Sequence, residues 1–200
     1  MIKIGLTGSI GMGKSTVLAM FSDLGAAVWN ADDAVHRLYA KGAAGAKAVG
    51  SMFPDAIVDG AVDRRALAGL VLGDAQALQS LEEIIHPLVA ADREGFMDAA
   101  AHAGVAAAVL DIPLLFENGT EKFFDATVVV SAPADIQRAR VLARPGMTAE
   151  KFEAILKLQT PDAQKRQLAD YVIDTGVTID ETRAQVAEVY GEILRQATRA

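Results

Sequence analysis

The sequence predicts a three-layer α/β/α fold on a parallel five-stranded sheet, and three observations carry that expectation. Short apolar runs alternate with stretches of helical periodicity, a glycine-rich loop joins the first run to the first helix, and the interval from 33 to 104 breaks the alternation with helical segments alone. The runs are Ile2 to Leu6, Ala26 to Trp29, Ala106 to Ile112, Ala126 to Val130 and Tyr171 to Ile173. Continuous apolar runs of this length suit strands covered on both faces. Ser15 to Leu24, Ala134 to Arg144, Ala149 to Leu158 and Glu181 to Thr198 read as helices, with Pro133 near one start and Gly25 just past one end. Strand and helix in alternation imply right-handed crossovers, which place helices on both sides of the sheet.

The interval from Asp33 to Gly104 has no run with strand character. Gly42, Gly45, Pro54, Gly60 and Gly73 punctuate its Ala-rich segments, so it reads as a helical insertion within a single domain of residues 1–200. At 200 residues and 52% hydrophobic the chain supplies one full core. A formal net charge of -7 would repel a polyphosphate backbone, so no nucleic-acid partner is expected. With 0 cysteines, a disulfide framework, a thiolate zinc site and a thiol nucleophile are all excluded. Met1 to Leu6 runs directly into the glycine loop without the pattern of an export signal. The apolar stretch Val105 to Phe116 is interrupted by Asp111 and Pro113 and falls short of the roughly 20 residues a membrane-spanning helix needs. A cytoplasmic protein with no membrane partner is expected, and no feature specifies an oligomeric state.

The segment Gly8-Ser9-Ile10-Gly11-Met12-Gly13-Lys14-Ser15 fits G-x-x-x-x-G-K-[ST] between a strand and a helix. Glycines let the backbone curl so that successive N–H groups point at phosphate oxygens, and the helix N-terminus adds positive potential. Gly8, Gly11, Met12 and Gly13 would form the cradle for ATP. Lys14 would reach the β and γ oxygens, the Ser15 hydroxyl would ligate Mg²⁺, and Thr16 would lie beside the α or β phosphate. The motif specifies nucleotide binding and leaves the reaction open. The absence of an Asn-Lys-x-Asp guanine signature argues against a switch GTPase.

The second strand ends in Trp29-Asn30-Ala31-Asp32-Asp33, at the carboxyl edge where open α/β sheets bind ligands. Asp32 could orient an acceptor hydroxyl and take its proton; equally, Asp32 or Asp33 could cap the next helix. Asp111, just before Pro113, suits a Mg²⁺ carboxylate, direct or through water, or a strand-end carboxylate bonded to backbone. Arg140 and Arg144, one helical turn apart, suit a lid over transferring phosphates, or a solvated surface.

Taken together, these residues resemble the dephospho-CoA kinase family from the first strand to about Gly176. The resemblance rests on Gly5-Leu6-Thr7-Gly8 through Thr16, Leu24-Gly25 with Asn30-Ala31-Asp32, Val62-Asp63-Arg64-Arg65-Ala66-Leu67, His86-Pro87, and Asp111-Ile112-Pro113-Leu114-Leu115-Phe116-Glu117, in that order. It implies phosphorylation of the ribose 3′-hydroxyl of dephospho-CoA by ATP with Mg²⁺. It also implies a CoA-binding region within 33–104 and a lid over 138–155. Asp32 would be the base, Lys14, Arg140 and Arg144 the phosphate contacts, and Ser15 with Asp111 the metal ligands. Arg64, His86, Pro87 and Leu114 would lie on the substrate side, and Asp174 to Gly176 near adenine. Three positions depart from the family pattern: Asn30 stands where aspartate is usual, Thr160 where methionine is common, and Thr175 where asparagine is frequent. Asn30 cannot act as a base, so that role falls to Asp32. Gln159 matches a family glutamine to which the sequence assigns no role. Two other readings remain at this stage, a phosphate-loop kinase of another small metabolite or nucleoside monophosphate, and a nucleotide-binding module without transfer chemistry.

Overall fold

A computed structural model describes residues 1–198. Strands β1 (Ile2–Thr7), β2 (Ala27–Asn30), β5 (Ala107–Asp111), β6 (Ala126–Ser131) and β7 (Tyr171–Asp174) form one sheet in the order β2-β5-β1-β6-β7. β1 pairs parallel with β5, Leu6 opposite Asp111, and with β6, Thr7 opposite Val129; β6 pairs parallel with β7. Every residue of β5 and β6 is buried, which explains why these strands read as unbroken apolar runs rather than alternating ones.

The chain divides into two compact units, residues 1–28 with 100–200, and residues 29–99. In the first, α1 (Lys14–Asp23) and α9 (Ile179–Ala197) share a core with the central strands through Val17, Phe21, Val186, Tyr190 and Ile193 against Ile4, Leu6, Val109 and Val128. Phe21 meets Tyr190 edge to face at 5.8 Å between ring centroids, the arrangement the ring quadrupoles favour. Thr178 and Glu181 close a reciprocal capping box at the start of α9. Helices α6 (Ala134–Leu142), α7 (Ala149–Lys157) and α8 (Asp162–Leu168) complete this unit. The sequence places the end of α6 at Arg144; it stops at Leu142 because the proline at 145 disfavours helical geometry in the residue before it. Helix α8 has no counterpart in the sequence reading, since seven residues are too few to display a helical period.

The second unit has its own core, with Ala46, Val49, Val62, Leu67, Val71 and Ile85 contributed by α3 (Ala44–Met52), α4 (Arg64–Val71), α5 (Ala75–His102) and the strand before α4. One expectation is corrected here, for the interval does contain strands. β3 (Ile57–Val58) and β4 (Ala61–Val62) pair antiparallel across Asp59-Gly60. Those two residues have φ of 51° and 82°, the left-handed pair that a tight Asp-Gly hairpin demands. Strands of two residues are too short to leave an alternation signal. Pro87 lies inside α5 rather than at its end; lacking an N–H, it removes the helical partner of the Glu83 carbonyl.

Candidate active site

The phosphate loop is built by backbone geometry. Gly11 and Gly13 take φ of 80° and 88°, values that cost other residues strain, and Gly13 N-caps α1. A Cβ on Gly11 would strike the Val141 side chain of α6, so close packing as well as conformation requires glycine there. The Met12 N–H returns to the Ser9 carbonyl at 3.2 Å. Lys14 donates from Nζ to the Gly8 carbonyl at 2.9 Å, folded over the loop it belongs to.

Gly11, Gly13, Thr16, Arg140, Arg144 and Thr175 line one cavity of about 290 Å³ in the first unit. The structure thus brings together three predicted phosphate-loop residues and both predicted lid arginines. Arg144 does so from the turn after α6, not from the helix itself. Arg140 is held from one edge: Nη1 donates to Thr175 Oγ1 at 3.0 Å and Nη2 to the Thr175 carbonyl at 2.7 Å. The same hydroxyl donates to the Met12 carbonyl at 2.7 Å. Buried Thr175 therefore links the arginine to the phosphate loop, a role that the sequence reading missed because both partners lie earlier in the chain, 35 and 163 residues away. Beside it, Asp174 accepts from the Gly176 N–H at 2.7 Å, and Gly176 packs so closely on Pro133 that a Cβ would not fit.

Ser15 is exposed at the first turn of α1, and Asp111 is buried at the carboxyl end of β5, opposite Leu6 of β1. Thr7 Oγ1 donates to the Pro113 carbonyl at 3.3 Å, tying the end of β1 to the turn that carries Leu114, whose side chain is exposed. A hydroxyl and a carboxylate form an oxygen donor set suited to a hard cation such as Mg²⁺. Among the described residues no group of three or more His, Asp or Glu could hold a metal.

The segment 138–155, which the resemblance assigns to a lid, is braced internally. Arg138 pairs with Glu153 at 2.9 Å and lies over the Phe152 ring at 5.9 Å, joining α6 to α7. Beyond α7, Gln159 Oε1 accepts from the Ile10 N–H at 3.1 Å, while buried Gln137 donates from Nε2 to the Ile10 carbonyl at 2.8 Å. Thr160 donates its N–H to Glu117 Oε1 at 2.7 Å, and the same oxygen pairs at 2.9 Å with the ammonium of Lys165, a side chain of 0% exposure. Burial pushes the Glu117 pKa up, but the Lys165 ammonium and the backbone N–H donors outweigh it and hold the group below its ordinary value. Gln137 and Lys165 carry no signal in the sequence, being polar residues that look like surface positions on short helices.

In the second unit, Asn30 caps α2 (Ala31–Leu38), accepting from the Asp32 N–H at 2.7 Å and the Asp33 N–H at 3.1 Å. The capping alternative for Asp32 and Asp33 is thereby resolved: the cap is Asn30, which explains why asparagine serves there, and both carboxylates are exposed in the first turn, where the helix dipole favours them. Asp63 caps α4 through the N–H groups of Arg65 and Ala66, and those two bonds hold its carboxyl below the usual range. Arg64, next in sequence, lies 5.9 Å from the centroid of Tyr39. His86 and Pro87 are exposed on α5. A polar contact absent from the sequence reading is made by Asp92, which accepts from Trp29 Nε1 at 2.8 Å and pairs with Arg37 at 2.6 Å. A cavity of about 470 Å³ in this unit is lined by Lys41, Lys47, Gly42 and Gly60 among others, and by none of Asp32, Arg64, His86 or Pro87.

Comparison with known proteins gives a consistent result. A family model described as dephospho-CoA kinase matches residues 2–181. The dephospho-CoA kinase of Mesorhizobium japonicum is 55% identical over 196 residues, covering 98% of each chain. The crystal structure of TT1252 from Thermus thermophilus superposes with a TM-score of 0.77 at 35% identity, covering 94% of this chain and 95% of that one. Dephospho-CoA kinase from Campylobacter jejuni gives a TM-score of 0.68 at 24% identity, with 96% of both chains covered, and so speaks to the fold.

Proposed function

The chain belongs to the dephospho-CoA kinase family, and from that membership we propose that it transfers the γ-phosphoryl group of ATP to the ribose 3′-hydroxyl of dephospho-CoA, giving CoA and ADP, the last step of coenzyme A synthesis. The observation that carries the proposal is the single cavity shared by Gly11, Gly13, Thr16, Arg140 and Arg144. A triphosphate bound there meets backbone N–H groups on one side and two guanidinium groups on the other.

The roles follow from charge. The loop amides and the start of α1 hold the β and γ phosphates, and Lys14 leaves the Gly8 carbonyl to neutralise their oxygens. Arg140, oriented by Thr175, and Arg144 stabilise the charge that spreads over the transferring group. Ser15 and Asp111, the latter directly or through water, would hold Mg²⁺, whose chemistry when bound is to neutralise β and γ oxygens. The 3′-oxygen forms its bond to the γ phosphorus as the bond to the β-γ bridging oxygen breaks, and the hydroxyl proton passes to Asp32. Being exposed and not engaged as the cap of α2, the Asp32 carboxylate is available for that proton. Arg64, His86, Pro87 and Leu114 are assigned to the dephospho-CoA side, and Asp174 with Gly176 to the adenine side. The region 33–104 is assigned to CoA binding and 138–155 to the lid. The enzyme is assigned to the cytoplasm as part of the same reading; separately, among the described residues no helix is long and apolar enough to cross a membrane.

The test is ADP release with dephospho-CoA, AMP and shikimate as rival acceptors. Turnover is expected with dephospho-CoA, and Asp32→Asn should lose about 10²- to 10⁴-fold in kcat while keeping its affinity for ATP. Turnover of another acceptor alone would reassign the substrate, and an Asp32→Asn variant as fast as the parent would remove the base.

A further inference from the structure

We propose that Gln159 is a positioning residue for the phosphate loop, held in register by the pair of Glu117 with buried Lys165. The inference rests on the reading of that loop as the ATP site. Ile10 occupies a variable position of the motif, yet both of its backbone polar groups are taken by side chains that flank the segment 138–155, Gln137 before it and Gln159 after it. Gln159 Oε1 accepts from its N–H at 3.1 Å, and Gln137 Nε2 donates to its carbonyl at 2.8 Å. The two contacts hold the peptide planes on either side of the Ile10 Cα, which restricts φ and ψ of Ile10 immediately before the left-handed Gly11 and the turn through Met12 that aims the next amides. The loop pays for its open shape by having few internal bonds, so these outside contacts set its conformation.

Gln159 is itself anchored. Its N–H donates to the Leu156 carbonyl at 3.1 Å, and the next N–H, that of Thr160, donates to Glu117 Oε1 at 2.7 Å. Glu117 follows β5 and is fixed by Lys165 at 2.9 Å, with side-chain exposures of 13% and 0%. An apolar pair could pack in this volume, but it could not accept from the Thr160 N–H. A continuous path of contacts thus runs from α8 through Glu117, Thr160 and Gln159 to Ile10. Through it, the residues that close the lid segment fix the loop that receives the triphosphate.

The experiment measures the affinity of a fluorescent ATP analogue, with kcat and the separate KM values for ATP and dephospho-CoA, for Gln159→Leu, Lys165→Met and the double variant, well below their unfolding temperatures. Gln159→Leu removes one hydrogen bond from the loop and should weaken nucleotide binding roughly 3- to 10-fold. KM for ATP should rise with it, while KM for dephospho-CoA at saturating ATP stays put. Lys165→Met should weaken nucleotide binding in the same sense, and the double variant should bind no worse than the weaker single one, because both act through one contact. Parental affinity in Gln159→Leu, an equal loss toward both substrates, or multiplying losses in the double variant would overturn the proposal. If Lys165→Met does not fold, Gln159→Leu alone decides. Analogue binding needs no acceptor, so a failure to phosphorylate dephospho-CoA would count against the proposed reaction and not against this inference.

Discussion

Replacing Lys165 by methionine should destabilise the protein by about 3–5 kcal/mol, the cost of leaving a buried charge without its partner. Lys165 has 0% side-chain exposure and lies 2.9 Å from Glu117 Oε1. At an effective dielectric near 20 that separation corresponds to an attraction of about 6 kcal/mol, most of it offset by the desolvation of both groups. Methionine fills the volume, so the variant reads the charge and not a cavity. Without the ammonium, Glu117 is held by the single bond from the Thr160 N–H to Oε1, since its Oε2 is buried and accepts no hydrogen bond among the described residues. The pH dependence gives the sharper test. In the parent, Glu117 titrates below its ordinary value of 4.5, so its contribution is complete above 4.5 and is lost as pH falls through the lower folded value. In the variant the Lys165 hydrogen bond and charge no longer oppose burial, so the folded pKa of Glu117 rises relative to the parent's. The variant's penalty is then greatest near neutrality and relieved as protons bind. Urea unfolding at about pH 7 and about pH 4 should show the gap between the two proteins narrowing on acidification. A loss under about 1 kcal/mol at neutral pH, or a gap that widens as pH falls, would refute the reasoning.

Two further outcomes are expected. Asn30→Ala strips the cap from α2 and should cost about 1 kcal/mol in urea unfolding, whereas Asn30→Asp, which keeps an acceptor at the same position, should stay within about 0.5 kcal/mol of the parent. Thr175→Val removes the hydroxyl that links Arg140 to the Met12 carbonyl; it should cost about 1–2 kcal/mol of stability and raise KM for ATP, with Thr175→Ser restoring both.

The five strands, the phosphate loop and the first and last helices were legible because each is specified by neighbours in sequence. Apolar runs such as Ala126 to Val130 need no distant partner to be recognised, and the spacing of Gly8, Gly13 and Lys14 carries its own geometry. The β3–β4 ribbon and α8 were not legible, being shorter than the periods that betray strands and helices. The sequence offered Asp32 or Asp33 as the cap on α2, whereas the backbone path brings the Asn30 side chain to the free N–H groups.

What the sequence determined by itself is the chemistry of a phosphate cradle, since that depends on backbone conformations which glycines permit locally, and the family, since its signatures are contiguous. Tertiary structure alone decided how the cradle is held. Thr175 reaches back to Met12, Gln137 and Gln159 take the two poles of Ile10, and Lys165 is buried against Glu117. Each is a polar side chain whose partner lies far along the chain, and whether such a group is solvated or committed depends on the packing that surrounds it, which no local pattern records.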